Sequence, residues 1–298
     1  MKSSELKQIG GQECWEHYED YDSGFFHTFD NLKINHFDNG RKIHVYLPHE
    51  YYTSDRRYPV VYMNDAETTF WANGLSPYSW DVQYTLSELY KDDAIDKVII
   101  VAVHHYDRDY EYLLNMLPLD ILKIPLNIRK KGGLPEYAVY LTQLKEFIDT
   151  NYKTDSDSKK TAIVGSSHGG LASFYTACYH YQHFGLCGAL SSSFWADSYI
   201  TLRKPCLMNL VGPKLHEAST DHPKLWIDWG LIRTGGLHNC LIEKCATESS
   251  IKMIDLLQKE YSYIEDKDLF WFADELGTHD ERAWKYRFKL LLKKFYGK

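Results

Sequence analysis

At 298 residues, 44% hydrophobic and 15% aromatic, the chain can bury a large core, with room for one big α/β domain or two small ones. Its net charge of −7 is spread over interspersed acidic and basic residues; without a basic stripe to neutralise phosphates, nucleic acid is set aside as a partner. No apolar run approaches the ~20 residues that span a bilayer, and the opening MKSSELKQIGGQECWEHYED is polar and acidic where a secretory leader is basic and then apolar, so a soluble protein with no membrane partner is expected. Six cysteines, Cys14, Cys178, Cys187, Cys206, Cys240 and Cys245, include no CxxC pair, which reads as reduced thiols in a cytoplasm.

Residues 1–25 read as an N-terminal extension. After them, LKINHFDNGRKIHVYLP (32–48) carries strand alternation in RKIHVYLP (41–48) and the hairpin signature Asn39-Gly40, so the chain opens with an expected antiparallel pair. Short apolar runs follow at YPVVYM (58–63), KVIIVAV (97–103), KTAIVG (160–165), LCGALS (186–191), KLWIDW (224–229) and LFWFA (269–273), the pattern of strands covered on both faces of a parallel sheet. The clearest helix is 135–152, where Tyr140, Leu141, Leu144, Phe147 and Ile148 recur at helical spacing behind Pro135. Further helices are expected after the serine stretch at 161–175, from about Ser249 to Tyr261, and at 282–297. TDSDSKK (154–160) reads as a surface loop. Strands and helices alternating without repeat, linker or domain boundary predict a doubly wound α/β sheet in one domain, 1–298.

TAIVGSSHGGLASFY (161–175) fits G-x-S-x-G in one register, with Gly165, Ser167 and Gly169. A nucleophile of this kind sits on a strained strand-to-helix turn, where small neighbours let the backbone pack closely. The context fits: an apolar run precedes the motif, and a helix follows whose first turn can aim N–H groups at an oxyanion. A plain Ser/Gly loop matches the same five residues. Serine chemistry also requires a histidine base. Of fourteen histidines, His168 leaves the tight turn in another direction and offers its backbone N–H. His279, in ELGTHDERAW between the last strand and the last helix, is the better base, in the order serine first and histidine last that this arrangement uses.

The stretches RKIHVYLPHEYYTSDRRYPVVYMNDAETTFW, VIIVAVHHYDRDYEY, YLTQLKEFIDTNYKT, IVGSSHGGLASFY, GALSSSFWAD and GTHDERAW span about residues 40 to 290. Together they resemble the “Putative esterase” family of α/β-hydrolases, the group of enterochelin esterases, feruloyl esterases and S-formylglutathione hydrolases. The resemblance implies an α/β-hydrolase fold: a mostly parallel central sheet, an N-terminal antiparallel hairpin and helices on both faces. It also implies Ser167 as nucleophile, His279 as base, and an oxyanion hole from the N–H of His168 plus one from the turn after VVYM. That turn usually reads Asp-Gly in the family and here is Asp65-Ala66-Glu67, leaving Ala66 or Glu67 as donor. Family members commonly carry an acid about three residues after the glycine ending the WIDWG strand, where this chain has Arg233. The nearby acids are Asp228, inside the strand, and Glu243, after LIRTGGLHNCLIE. Glu243 is preferred because a flexible loop can return it to His279, although some relatives resemble a dyad with no acid.

Phe194, Trp195 and Trp229 stand at strand ends as candidates for an acyl pocket, Trp195 foremost, with Phe70 and Trp71 after the oxyanion turn ranking lower; such aromatics also simply close cores. Arg108 and Glu111 in DRDYEY resemble a family signature beside the site, with Arg108 binding either a substrate carboxylate or one of the chain's own. His238, Cys240 and Cys245 match no common zinc spacing, so no metal is expected, and the chemistry requires no cofactor. The resulting expectation is a cytoplasmic serine carboxylesterase acting on small or aromatic esters through an acyl-enzyme on Ser167. Acyl transfer to a sugar or thiol, or a non-catalytic binding module lacking a working acid, are the alternatives. The expected partner is a small-molecule ester, and a homo-oligomer is compatible with the sequence but not selected by it.

Overall fold

The computed structural model describes residues 4–19, 21–34, 39–116, 130–196, 207–234, 236–238 and 240–298. Among them, ten strands form one sheet in the order β1 (Ser4–Ile9), β2 (Gln12–His17), β3 (Gly24–Leu32), β4 (Arg41–Pro48), β6 (Ile99–Val103), β5 (Val60–Asn64), β9 (Thr161–Ser166), β10 (Leu186–Leu190), β11 (Lys224–Gly230) and β12 (Leu269–Asp274). Two-residue strands β7 (Asn115–Met116) and β8 (Lys130–Lys131) pair separately. Pairing is antiparallel from β1 to β6 and parallel from β6 to β12. This is the mostly parallel α/β sheet with an antiparallel N-terminal end that the sequence predicts.

The continuous apolar runs are explained by cover on both faces. Val60, Tyr62, Val101 and Ile163 point into one core, while Val61, Met63, Ile100 and Val164 point into the other. Helices α4 (Leu134–Asn151), α5 (His168–Tyr179), α6 (Leu207–Ala218) and α7 (Cys240–Glu260) close the first core through Leu141, Phe174, Val211 and Leu257. The second is closed by α2 (Val82–Lys91) and α8 (Glu281–Tyr296), through Leu86, Leu89, Phe288 and Leu291. Short helices α1 (Ala66–Thr69) and α3 (Arg108–Tyr112) lie beside the C-terminal ends of β5 and β6.

Three sequence expectations change. Residues 4–17 form β1 and β2 at the antiparallel edge instead of an extension, joined at Gly10 and Gly11, both with positive φ (+56° and +74°), as a two-residue hairpin turn needs. The link from β3 to β4 spans 33–40, longer than an Asn39-Gly40 turn, because β3 ends at Leu32 after a register shift beyond Phe29. Helix α7 begins at Cys240 and not near Ser249. Cys14, Cys178, Cys187, Cys240 and Cys245 are free thiols; Cys206 lies outside the described residues. No helix among them is long and apolar enough to cross a membrane.

The chain passes from β5 to β6 on one side and then to β9 on the other. The C-terminal ends of β5 and β9 therefore flank the crevice where doubly wound sheets place their ligands. Nearby, Arg287 of α8 is fully buried; its guanidinium donates to Asp228, to Ser191 Oγ (2.9 Å) and to the Thr278 carbonyl (3.2 Å). Arg287→Met strands a buried carboxylate, and a loss of about 3–5 kcal/mol in urea denaturation is expected. The Arg287→Met/Asp228→Asn double variant should regain much of that loss.

Candidate active site

Ser167 joins β9 to α5 with φ +55° and ψ −122°, a conformation side-chain-bearing residues rarely adopt. It is held there from both sides: its N–H donates to the Leu190 carbonyl (3.0 Å), and its carbonyl accepts from the Ser193 N–H (3.0 Å). The flanking glycines are close approaches of strand and helix. A Cβ on Gly165 would lie 2.4 Å from the Gly169 carbonyl oxygen, and one on Gly169 would lie 2.9 Å from Asp65 Oδ2. Ser167 opens onto a cavity of about 420 Å³, whose wall includes Asp65, Arg108, Ser76 and Glu281 on the polar side and Leu75, Pro77, Leu237 and Trp284 on the apolar side, with His238 beside them.

Asp65 follows β5 with φ +61° and accepts both Arg108 Nε (2.7 Å) and Nη2 (2.8 Å). Of the two alternatives for Arg108, the structure therefore has it paired with the chain's own carboxylate. Glu111 likewise pairs with Arg41 (2.7 and 3.0 Å). Ala66 and Glu67 open α1 directly after Asp65. Burial pushes the Glu67 carboxyl up, but the His104 ring and Glu67's own main-chain N–H outweigh it and hold it below the ordinary carboxylate range. His168 begins α5, with Nδ1 3.3 Å from Asp109.

His279 lies at the same sheet edge, fully buried, with no hydrogen-bond partner on either ring nitrogen among the described residues. Its ring meets His238 perpendicularly at 5.0 Å and Trp284 at 5.2 Å. Burial, helped by His238 and Arg287, holds its pKa well below the ordinary imidazole range, so the ring is neutral at pH 7. Ser167 Oγ is bonded to Ser193 Oγ (3.1 Å), and His238, not His279, shares the cavity with it.

The acids depart from expectation. Asp228 is fully buried and committed to Arg287, to Trp226 Nε1 (2.8 Å) and to the Ser191 N–H (3.1 Å), which makes it a structural carboxylate. Glu243 is not on a returning loop but in the first turn of α7, where it accepts from the main-chain N–H of His279 and stands 3.9 Å from Arg233. The aromatic pocket is likewise corrected. Phe194 is buried edge-on against Phe174 (5.0 Å), Trp229 stacks on Trp271 (5.9 Å), and Trp195 packs against the α4–α7 core; none of the three lines the cavity. Phe70 and Trp71 meet Phe26 in or beside the other core. Trp284, one turn into the helix after His279, is the wall aromatic, and its position in the GTHDERAW stretch was the available signal. His238 carried no such signal, since a loop histidine has no periodicity. His238, Cys240 and Cys245 do not converge; among the described residues the metal-ligand atoms that do are those of Asp65, Glu67 and His105, within 4.8 Å of one another.

A family model described as “Putative esterase” matches residues 34–295. The “Uncharacterized protein YbbA” of Bacillus subtilis (strain 168) is 22% identical over 167 residues, covering 55% of this chain and 61% of that protein, so the match spans less than two thirds of this relative. Among solved structures, an IroE-like serine hydrolase from Shewanella oneidensis gives a TM-score of 0.64 at 18% identity, covering 98% of this chain and 79% of that one. The enterobactin esterase FES from Shigella flexneri gives 0.61 at 16% identity, covering 90% and 57%. These two likenesses establish the fold; the family match, over most of the chain, establishes the lineage. The chain belongs to the “Putative esterase” family.

Two expectations follow from this geometry. Burial, against the pull of Arg287 and Arg233, pushes Glu243 up to about 7. A raised carboxyl pKa means the folded state binds the extra proton, a contribution complete below the unfolded value of about 4.3 and lost as pH rises through about 7. Wild type should therefore lose stability relative to Glu243→Gln between about pH 5 and pH 8; denaturation midpoints that move in parallel would contradict this. Separately, Ser167→Gly should be more stable than Ser167→Ala by roughly 1–2 kcal/mol, because both lack the hydroxyl and only glycine relieves the backbone strain.

Proposed function

We propose that the enzyme is a serine carboxylesterase acting on small or aromatic esters through an acyl-enzyme. The observation that carries this reading is the enforced conformation of Ser167, at a strand-to-helix turn and on the wall of a cavity. In the proposed reaction, a ring nitrogen of His279 takes the Ser167 proton as Oγ attacks the ester carbonyl. The carbon–oxygen bond to the alcohol then breaks, with the alcohol leaving on the proton that His279 returns. Water, deprotonated by the same ring, releases the acid. The oxyanion is received by the N–H of His168 at the start of α5 and by that of Ala66, since the Glu67 N–H is turned to its own carboxylate.

In this reading the Ser167–Ser193 contact and the His238 ring are displaced as substrate enters, bringing His279 to Ser167; such bonds commonly tighten only in the complex. Glu243 fixes the main chain of His279, so the ring works as half of a dyad. The apolar wall of Leu75, Pro77, Leu237 and Trp284 accommodates a compact acyl or aryl group. The Shigella flexneri neighbour, named an enterobactin esterase, fits an ester substrate of aromatic type.

A second reading, a binding protein of the same fold without catalysis, is favoured by the covered ring of His279. A fluorophosphonate probe separates the two. Catalysis predicts one adduct at Ser167 and p-nitrophenyl acetate turnover that falls by at least a thousandfold in Ser167→Ala or His279→Ala, whereas a binding protein gives neither adduct nor turnover. Because the neutral ring is the base and its pKa lies well below 6.5, kcat/KM should hold level from pH 8 down through 6.5 and fall only in more acid solution.

A further inference from the structure

We propose that Asp65, Glu67 and His105 form a binding site for a divalent first-row cation of the manganese or zinc kind. The three ligand atoms lie within 4.8 Å of one another, although they come from two separate segments, the β5–α1 turn and the loop after β6. The left-handed backbone of Asp65 sits at the start of that turn, two residues before Glu67. A donor set of one imidazole and two carboxylates suits divalent manganese, iron or zinc and leaves coordination positions for water.

The second observation is a group of buried ligand atoms without partners. Glu67 Oε2 and both ring nitrogens of His105 are shielded from solvent and make no hydrogen bond among the described residues. His105 Nε2 stands 3.5 Å from Glu67 Oε1 without hydrogen-bond geometry. Buried polar atoms are satisfied in nearly all native structures, and an unmade set often marks a missing ion or water. A cation between these side chains would take Glu67 Oε2 and one of the two His105 ring nitrogens as ligands.

The surroundings already orient the ligands, as partners of metal-binding groups do. Arg108 holds both oxygens of Asp65. The His104 Nδ1 stands 3.0 Å from Glu67 Oε1, and its other ring nitrogen meets His44 Nε2 at 3.1 Å. Arg108 adds a positive charge beside the site, which opposes a second cation and points to moderate affinity. None of this depends on the hydrolytic reading of Ser167, and the test below reads binding, not turnover.

The chelator-treated full-length chain is titrated with manganese chloride, and free Mn²⁺ is followed by electron paramagnetic resonance. Manganese is the probe because it favours oxygen and nitrogen over the thiolates of Cys240 and Cys245. The expected result is one saturable equivalent per chain, weakened at least tenfold in Glu67→Gln and in His105→Ala and unchanged in His238→Ala. Absence of saturable binding to folded wild type, or equal affinity in Glu67→Gln and His105→Ala, overturns the proposal. If thermal melts show Glu67→Gln to be misfolded, His105→Ala decides, since its ring makes no hydrogen bond among the described residues.

Discussion

The guanidinium of Arg287 is the point on which the site edge depends. It sits in helix α8, fully buried, and reaches three segments at once: Asp228 at the end of β11, the hydroxyl of Ser191 in the turn after β10, and the carbonyl of Thr278, one residue before His279. Ser191 itself has φ +42°, and two residues later Ser193 bonds both the main chain and the side chain of Ser167. One buried cation thus fixes the segment bearing the histidine and, through Ser191 to Ser193, the support under the serine. A charge so deep is tolerable because its donors are matched by acceptors, and removing either side leaves the other uncompensated.

A similar economy governs the opposite wall. Arg108 is consumed by Asp65 and Arg41 by Glu111, with the Arg41 guanidinium lying over the rings of Tyr106 (4.2 Å) and Tyr140 (4.6 Å). Bidentate pairs of this kind hold a planar geometry as well as a charge. They keep α3 and the turn after β5 in fixed relation. Arg108 on the cavity wall is therefore matched by a carboxylate of the chain itself.

How much of this was legible in the sequence follows from the range of the forces involved. Strands β5, β6 and β9 were readable because two-sided burial demands a run of apolar residues, and β4 from its alternation, both local signals. Ser167 was readable because a close approach needs glycine on both sides of it. Asp228 was not, because its partner Arg287 lies in another helix and nothing near the strand announces it. Trp229 was misplaced for a different reason: near a strand end, the direction of a ring depends on the parity of the pleat, and a shift of one residue moves it from cavity to core, whereas Phe194 lies in the turns beyond β10, which carry no period. Glu243 fell on the wrong kind of element because the opening turns of α7 expose Leu241 and bury Glu243, so their apolar residues do not mark the buried face. The Gly10-Gly11 pair, a hairpin signature in its own right, shows that even a local signal is missed when its flanking strands are polar.

The covered His279 ring is compatible with its proposed role as a neutral base. An imidazole with no carboxylate on it and little water around it has its charged form destabilised on every side, by burial and by the cationic Arg287. That raises the fraction of base present but weakens its pull on a serine proton, since a lower pKa makes a poorer acceptor. Under the proposed mechanism, rate comes from the orientation of donors at the oxyanion more than from the strength of the base. It is there that the fold is most constrained: two glycine contacts, a strained serine and the first amides of α5 and α1 meet at the ends of neighbouring strands.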